Sequence, residues 1–296
     1  MGVMLSQQFF NGLVVGATYA IFALGFTVMF GVLGVVNLVY GFYFSFGALL
    51  ALWLTLAFGL PVWASFLLAV LVSGNLAALV DALLLTRLRR ARAPELASLM
   101  VTLGATLLLY SLSSSLLGVE IRRFPAAAIN SSAFDLMGLR VSLTQLLIVF
   151  AAFAMVGGLV YLIQFTRVGL AIRAMAERPD TIALMGVNAG ALARLVSFVS
   201  GSLAGAAGVL IGLNYNAIQP FMGEQMMLKG FAVIILGGLG DPRGALVAGL
   251  IVGMLETLTA GYVASSWKDA VGFALLVLTL WIRPSGLFGR ATVKRA

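Results

Sequence analysis

Residues 166–188 read TRVGLAIRAMAERPDTIALMGVN. The stretch carries Arg167, Arg173, Glu177, Arg178 and Asp180, whereas no charged side chain precedes Asp81 in the whole chain. Pro179 divides it, so each half is too short and too charged to span a bilayer. It is a polar island between apolar runs, and its own pattern predicts two short helices. Asp180 caps the second, which runs through Met185 and stops at Gly186. Ile182 and Met185 are three apart and share a face. Either that face sits in a groove of a soluble partner, with Arg173 and Arg178 available to its carboxylates, or the island is a solvated loop kept positive to fix topology.

The flanking sequence is that of a polytopic membrane protein. Of 296 residues, 62% are hydrophobic and 9% charged, against roughly 25% charged in a soluble domain. Cys and His are absent, which excludes disulfides, thiol nucleophiles, imidazole acid–base chemistry and most transition-metal sites. The net charge of +8 does not point to nucleic acid, because the basic residues lie in short loops between apolar stretches. There they set orientation and meet anionic lipid. The start, MGVMLSQQFF, has no basic n-region or small-residue cleavage site, so a cleaved signal peptide is not expected.

Spans of about 20 apolar residues are expected at about 9–32, 36–58, 62–86, 95–118, 142–164, 190–214, 226–240, 244–263 and 268–283. The segment at 36–58 follows the Gly-rich GVLGVVN, and that at 226–240 is short and ends in GGLG. Either reads as a broken or re-entrant element, so the bundle has eight or nine segments and the fold class is an all-α integral membrane protein. It is one transmembrane domain over 1–296, with a cytoplasmic polar region at about 165–190. Local signals set the boundaries: Asp241–Pro242 as N-cap and first helical residue, Ser266 and Asp269 at capping-box spacing, Pro284 and Gly286 as a stop, and Pro94 as a start. With nine alternating spans and an inner C-terminus, thirteen of the 18 Lys and Arg fall inside. The island is then cytoplasmic and the N-terminus periplasmic. The outer loop at 119–141 is too small for a domain, so any solute-capturing module must be a separate protein.

Glycine pairs Gly12/Gly16, Gly201/Gly205 and Gly249/Gly253 have the spacing that lets membrane helices approach closely, within this chain or against a second subunit. FGVLG at 30–34 resembles LGGLG at 236–240, a faint sign of internal repetition. Enzymatic signals are thin. There is no P-loop, and the glycines at 238–244 form a turn without the βαβ context of a dinucleotide site. Among ionisable groups inside spans, Glu256 either faces a polar solute or coupling network or hydrogen-bonds a neighbouring helix. Asp81 is expected to pair with the Arg87–Arg92 cluster, and Lys229 to snorkel near the outer surface. Uncharged polar residues suit an uncharged or zwitterionic solute. These are Asn37 and Tyr40 before Gly41, and Asn214, Tyr215, Asn216 and Gln219, or else they anchor the interface.

The island resembles the cytoplasmic signature of permeases in branched-chain amino-acid ABC importers, the Liv-type family, through Thr166, Gly169, Arg173, Ala174, Ala176, Ala183 and Gly186. The resemblance continues through NGLVVGATYAIFALGFTVMFGVLGVVN at 11–37. It also covers 237–290, with Glu256, Lys268, Asp269 and the Arg-Pro-x-Gly-Leu tail. It implies an inner-membrane permease subunit that binds no cofactor itself. Its expected partners are a second permease subunit, two ATPase subunits that carry ATP and Mg, a periplasmic solute-binding protein and the lipid bilayer. The island, including Glu177, Asp180, Ile182 and Met185, would then couple to the ATPase. The family's Asn-x-x-His-Gly-Glu is here Asn37-Leu-Val-Tyr40-Gly41-Phe42, a less polar entrance. Branched-chain or other amino acids are the expected solutes. Urea, short amides and small aromatic or carboxylic acids are the alternatives within the importer class, and an ion-coupled secondary transporter is the alternative outside it.

Overall fold

The computed structural model describes residues 2–91, 93–125, 133–136, 139–177, 182 and 186–289. The helices are α1 (Gly2–Leu33), α2 (Tyr40–Phe58), α3 (Val62–Val80), α4 (Thr86–Arg90), α5 (Glu95–Leu117), α6 (Leu143–Phe165), α7 (Arg167–Glu177), α8 (Ala189–Tyr215), α9 (Met222–Gly237), α10 (Pro242–Tyr262) and α11 (Lys268–Ile282). A hairpin of β1 (Ala133–Leu136) and β2 (Leu139–Ser142) interrupts this otherwise helical chain. Among the described residues eight helices are long and apolar enough to cross a membrane, α3 running on through α4 to Arg90 and α11 counted with the helical turn that starts at Ser265. The segment expected at 226–240 is α9, which begins four residues earlier. Its 16 residues reach about 24 Å at 1.5 Å per residue, short of a hydrocarbon core of about 30 Å.

Two close-packed seams organise the bundle. Along α1 and α10, a Cβ on Gly12 would stand 2.9 Å from the Met254 backbone, one on Gly16 2.9 Å from Leu250, and one on Gly249 2.7 Å from Ala20, while Gly253 faces Gly16. On the other side α8 lies against α3 and α2. Gly201 faces Ala77, Gly205 faces Ser73, and a Cβ on Gly47 would meet Gly205 at 2.5 Å. The Ser73 hydroxyl lies 3.1 Å from the carbonyl oxygens of both Tyr43 and Gly201, tying α2 to α8. The small-residue pairs therefore serve packing within this chain. By contrast α5, α6 and α11 turn most of their residues outward, as lipid- or partner-facing helices do.

Several local expectations hold. Asp241 caps α10 by accepting from the Arg243 and Gly244 N–H groups, with Pro242 at the first position. Pro94 precedes α5. Gly286 adopts φ 78° after α11, and the chain behind it turns back so that Leu287 and Phe288 N–H donate to the Leu236 and Gly237 carbonyls at 2.8 and 3.0 Å. The Arg-Pro-x-Gly-Leu tail thus satisfies carbonyls left open at the end of α9. Asp81 is fully buried and binds Arg89 through contacts of 2.7–2.9 Å. The intervening π-helical turn Asp81–Leu85 resets the helix phase so that Arg89 can reach back.

Two expectations fail. The capping box at Ser266 and Asp269 does not form: Trp267 takes the cap position without a side-chain bond, and Asp269 is bound by Lys229. Lys229 does not snorkel; its side chain is 16% exposed and held by the buried Glu256 and by Asp269 at the start of α11. A buried ammonium with two acidic partners within reach stays where it is paired.

The α1–α10 seam can be checked by adding volume. Gly253→Leu has only backbone to displace and is expected to destabilise the protein by about 1–3 kcal/mol. Gly157→Leu, on α6 where nothing lies within 4 Å, is expected to leave it unchanged. The midpoint of thermal unfolding in detergent distinguishes the two, and equal midpoints would contradict the seam.

Candidate functional site

The island begins at a sharp corner. The Thr166 hydroxyl donates to the Leu162 carbonyl at 2.6 Å and accepts from the Gly169 N–H at 3.0 Å, so one side chain closes α6 and opens α7. A Cβ on Gly169 would run into the Leu162 and Ile163 carbonyl oxygens, which is why the corner takes glycine. From there α7 is amphipathic. Gly169, Ile172 and Met175 are buried, Ala174 is half-buried, and Arg173, Ala176 and Glu177 face outward. Gly186 has φ 75°, the left-handed conformation of a residue just past a helix end, and Asn188 caps α8 by accepting from the Ala191 N–H. Asp180 and Met185, with Arg178, Pro179 and Ala183, lie outside the described residues. Ile182, expected on an outward face, is instead 1% exposed and belongs to the apolar core. Its side chain anchors the island and is not presented to a partner.

The outward face of α7 borders a cavity of about 860 Å³. The last turns of α1 and α6, the turn between α9 and α10, and the tail at Phe288 and Gly289 form its other walls. The island, the turn at 239–243 and the tail, all assigned by sequence to the island side, therefore meet at one end of the bundle. At the far end the loop after α5 is clasped onto the helices. Arg122 and Ile218 exchange backbone hydrogen bonds of 2.8 and 2.9 Å. Gln7 binds the Arg140 backbone through both ends of its amide. Asn216, at φ 46°, accepts from the Phe124 N–H at 2.8 Å.

The residues expected along a solute path are not brought together. Asn37 accepts from the Val39 N–H and shapes the entry to α2. Tyr40 is fully buried, donates to the Phe22 carbonyl at 2.9 Å and stacks among Phe22 and Phe26. Gly41 lies against the Gly223 carbonyl. Asn214 is half-buried near the far end of α8. Among the described residues its side chain makes no hydrogen bond.

Glu256 sits in a charge cluster between four helices. The Lys229 ammonium is 2.8 Å from one Glu256 oxygen and 2.8 Å from Asp269. The Tyr19 hydroxyl donates to that same Glu256 oxygen at 2.8 Å and accepts from Lys229 at 3.0 Å. The other carboxylate oxygen of Glu256 is buried and has no hydrogen-bond partner among the described residues; it lies 3.3 Å from where Gly272 would carry a Cβ. Glu256 thus makes the bond to neighbouring helices that one of its two readings expects. Lys229, Asp269 and Tyr19 were not among the expected site residues. The signal that could have found them is charge balance, since a buried Glu256 needs a buried cation and Lys229 is the lysine nearest mid-membrane.

The cluster predicts a non-additive response. Lys229→Met strands the buried Glu256 carboxylate and is expected to destabilise the fold by about 3–5 kcal/mol. Adding Glu256→Gln should recover part of that loss. A double-mutant cycle on detergent-solubilised protein reads this directly, and simple additivity would rule out the pairing.

Comparison with known proteins bears on what this scaffold is. The family model described as "Branched-chain amino acid transport system / permease component" matches residues 8–280. The chain is 29% identical to the high-affinity branched-chain amino acid transport system permease protein LivH of Salmonella typhimurium, with 98% of this chain and 97% of the relative covered. It is 30% identical to BraD of Pseudomonas aeruginosa over 98% and 97%, and 31% identical to a probable LivH of Methanocaldococcus jannaschii over 90% and 87%. No solved structure matches. An apolar helical bundle whose Thr166–Gly169 corner carries a polar island, matched across nearly its whole length, belongs to the family of branched-chain amino acid transport system permease components.

Proposed function

We propose that this chain is the membrane-spanning subunit of an ATP-driven ABC importer for a small polar solute, with branched-chain or other amino acids as the solutes its relatives favour. The island end faces the cytoplasm and the N-terminus the periplasm. A periplasmic binding protein delivers solute, a second permease subunit completes the pathway, and two ATPase subunits hold ATP and Mg. The observation that carries the reading is the build of α7. It is a short helix pinned by Thr166, Gly169, Ile172 and Met175 on one face and open at Arg173, Ala176 and Glu177 on the other. A rigidly seated helix of this kind transmits a push from a soluble partner into α6 and α1, because it cannot yield against them. Ala174, Asp180, Met185 and Gly186 belong to the same coupling region, and Ile182 holds it to the bundle.

The internal pairing of Glu256 with Lys229 supports an ATP-driven mechanism over an ion-coupled one, since it withdraws the best-buried carboxylate of α10 from cation binding. Asn214 is the residue best placed to meet solute at the far end. Asn37, Tyr40 and Gly41 set the entry and packing of α2, and Asn216 the turn after α8.

The test is uptake by the reconstituted complex. Arg173→Glu combined with Glu177→Arg reverses the charges on the open face of α7. It is expected to lower ATPase co-purification and ATP-driven leucine uptake by about tenfold or more, the scale of losing two charge-assisted contacts, with the unfolding midpoint unchanged. Full uptake with these reversals would overturn the coupling assignment. Asn214→Ala is expected to raise the half-saturating solute concentration while leaving ATPase association intact.

A further inference from the structure

The cavity at the island end has walls and a rim of different chemistry. Val28 of α1, Val156, Val160 and Ile163 of α6 and Leu246 of α10 line it, and Arg173 and Arg243 stand at it from two different elements. Both arginines are exposed, and among the described residues neither side chain makes a hydrogen bond or ion pair. The nearby acid, Asp241, accepts from the Arg243 and Gly244 N–H groups as the helix cap and also lines the cavity, so two arginines stand at it against one carboxylate.

The depth of the cavity matters as much as its charge. It reaches from the ends of α1 and α6 back to Leu24 and Val156. That is about 13.5 Å at 1.5 Å per residue, from the polar boundary into the hydrocarbon region. Its volume of about 860 Å³ lies in the range of small-molecule sites, about 300–1,000 Å³. Beside it, α7 exposes Val168 at 40% and Leu170 at 62% next to its charged residues, the character of a helix lying in the membrane interface. A ligand that fits must be apolar along its length and anionic at one end.

We propose that this cavity binds one anionic phospholipid, with an acyl chain along the α1–α6–α10 wall and its phosphate between Arg173 and Arg243. A soluble anion would leave the valine and leucine walls uncovered. A zwitterionic lipid would bring a cation toward the two arginines. The lipid wedges between α7 and α10, the two elements whose separation sets the size of the cavity, and so braces the island at the height at which a partner meets it.

The test compares phosphatidylglycerol, phosphatidylcholine and sodium phosphate on the purified protein at physiological ionic strength. Bound lipid is counted by native mass spectrometry and stability by thermal unfolding. Each basic residue beside an anionic headgroup is worth about fivefold. Phosphatidylglycerol should therefore be preferred by roughly 25-fold, and only it should raise the unfolding midpoint. Arg173→Ala combined with Arg243→Ala should bring the two lipids to parity, and the corresponding double lysine variant should restore the preference. Val160→Trp, which fills the wall and leaves the rim intact, should also remove it. Unchanged midpoints in phosphatidylcholine show that the variants are folded. Equal retention of the two lipids by the unaltered protein overturns the proposal, and so does a midpoint shift with phosphate alone. If the double alanine variant keeps its lipid preference but loses ATPase binding in phosphatidylcholine, the cavity is a protein groove and the lipid site is refuted.

Discussion

The near-contact of α1 and α10 backbones is the constraint on which most of this molecule depends. Two helices bearing ordinary side chains keep their axes about 8–10 Å apart; Gly16 and Gly253 remove the side chains that would enforce that distance. One helical turn further along each strand of this seam lie Tyr19 and Glu256. Their 2.8 Å hydrogen bond follows from the glycines, because a wider seam would leave a buried carboxylate with no hydroxyl to meet it. Lys229 of α9 and Asp269 of α11 then close on the same point. Packing comes first and electrostatics follows it, and the order matters in a bilayer, where apolar burial alone gives helices no reason to choose one neighbour over another.

The same seam explains how α11 stays with the bundle. Gly272 is the one buried residue of α11, so side-chain burial holds it weakly. It is fastened at both ends, by Asp269 to Lys229 at one and by the tail that caps α9 at the other. Because both fastenings run to α9, that short helix is enclosed between α10, α11 and the tail. This accounts for a segment too short to cross the hydrocarbon by itself: its open carbonyls are satisfied by Leu287 and Phe288, not by a further helical turn.

What was legible in the sequence divides along physical lines. Features encoded by neighbours in the chain were readable: the apolar spans, the Asp241–Pro242 start, the stop at Pro284 and Gly286, the Thr166–Gly169 corner, and the Asp81 pair with a nearby arginine. Features that require two distant segments to meet were not. Asp269 has capping-box spacing from Ser266, yet an ammonium outcompetes a backbone N–H for a carboxylate, and Lys229 lies forty residues away along the chain. Within the island alone Ile182 reads as an outward contact; the bundle that buries it is not in that stretch. Tyr40 and Asn37 looked like a polar path because polar residues in a membrane are scarce. They are spent on the Phe22 carbonyl and the Val39 N–H, backbone groups that sequence does not advertise.

This division bears on how the island can work. Thr166 and Gly169 fix the angle between α6 and α7, and Ile172, Met175 and Ile182 bury the inner face, so the outer face has little freedom of its own. Force applied at Arg173 or Glu177 therefore passes to α6 at the Leu162–Ile163 carbonyls and to α1 beneath it. From α1 it reaches α10 through glycines that leave no compressible side chain between the backbones. A flexible loop of the same charge would satisfy the topology rule equally well, but it would dissipate that force. In the proposed coupling role, the buried anchors, more than the exposed charges, are what would carry the force.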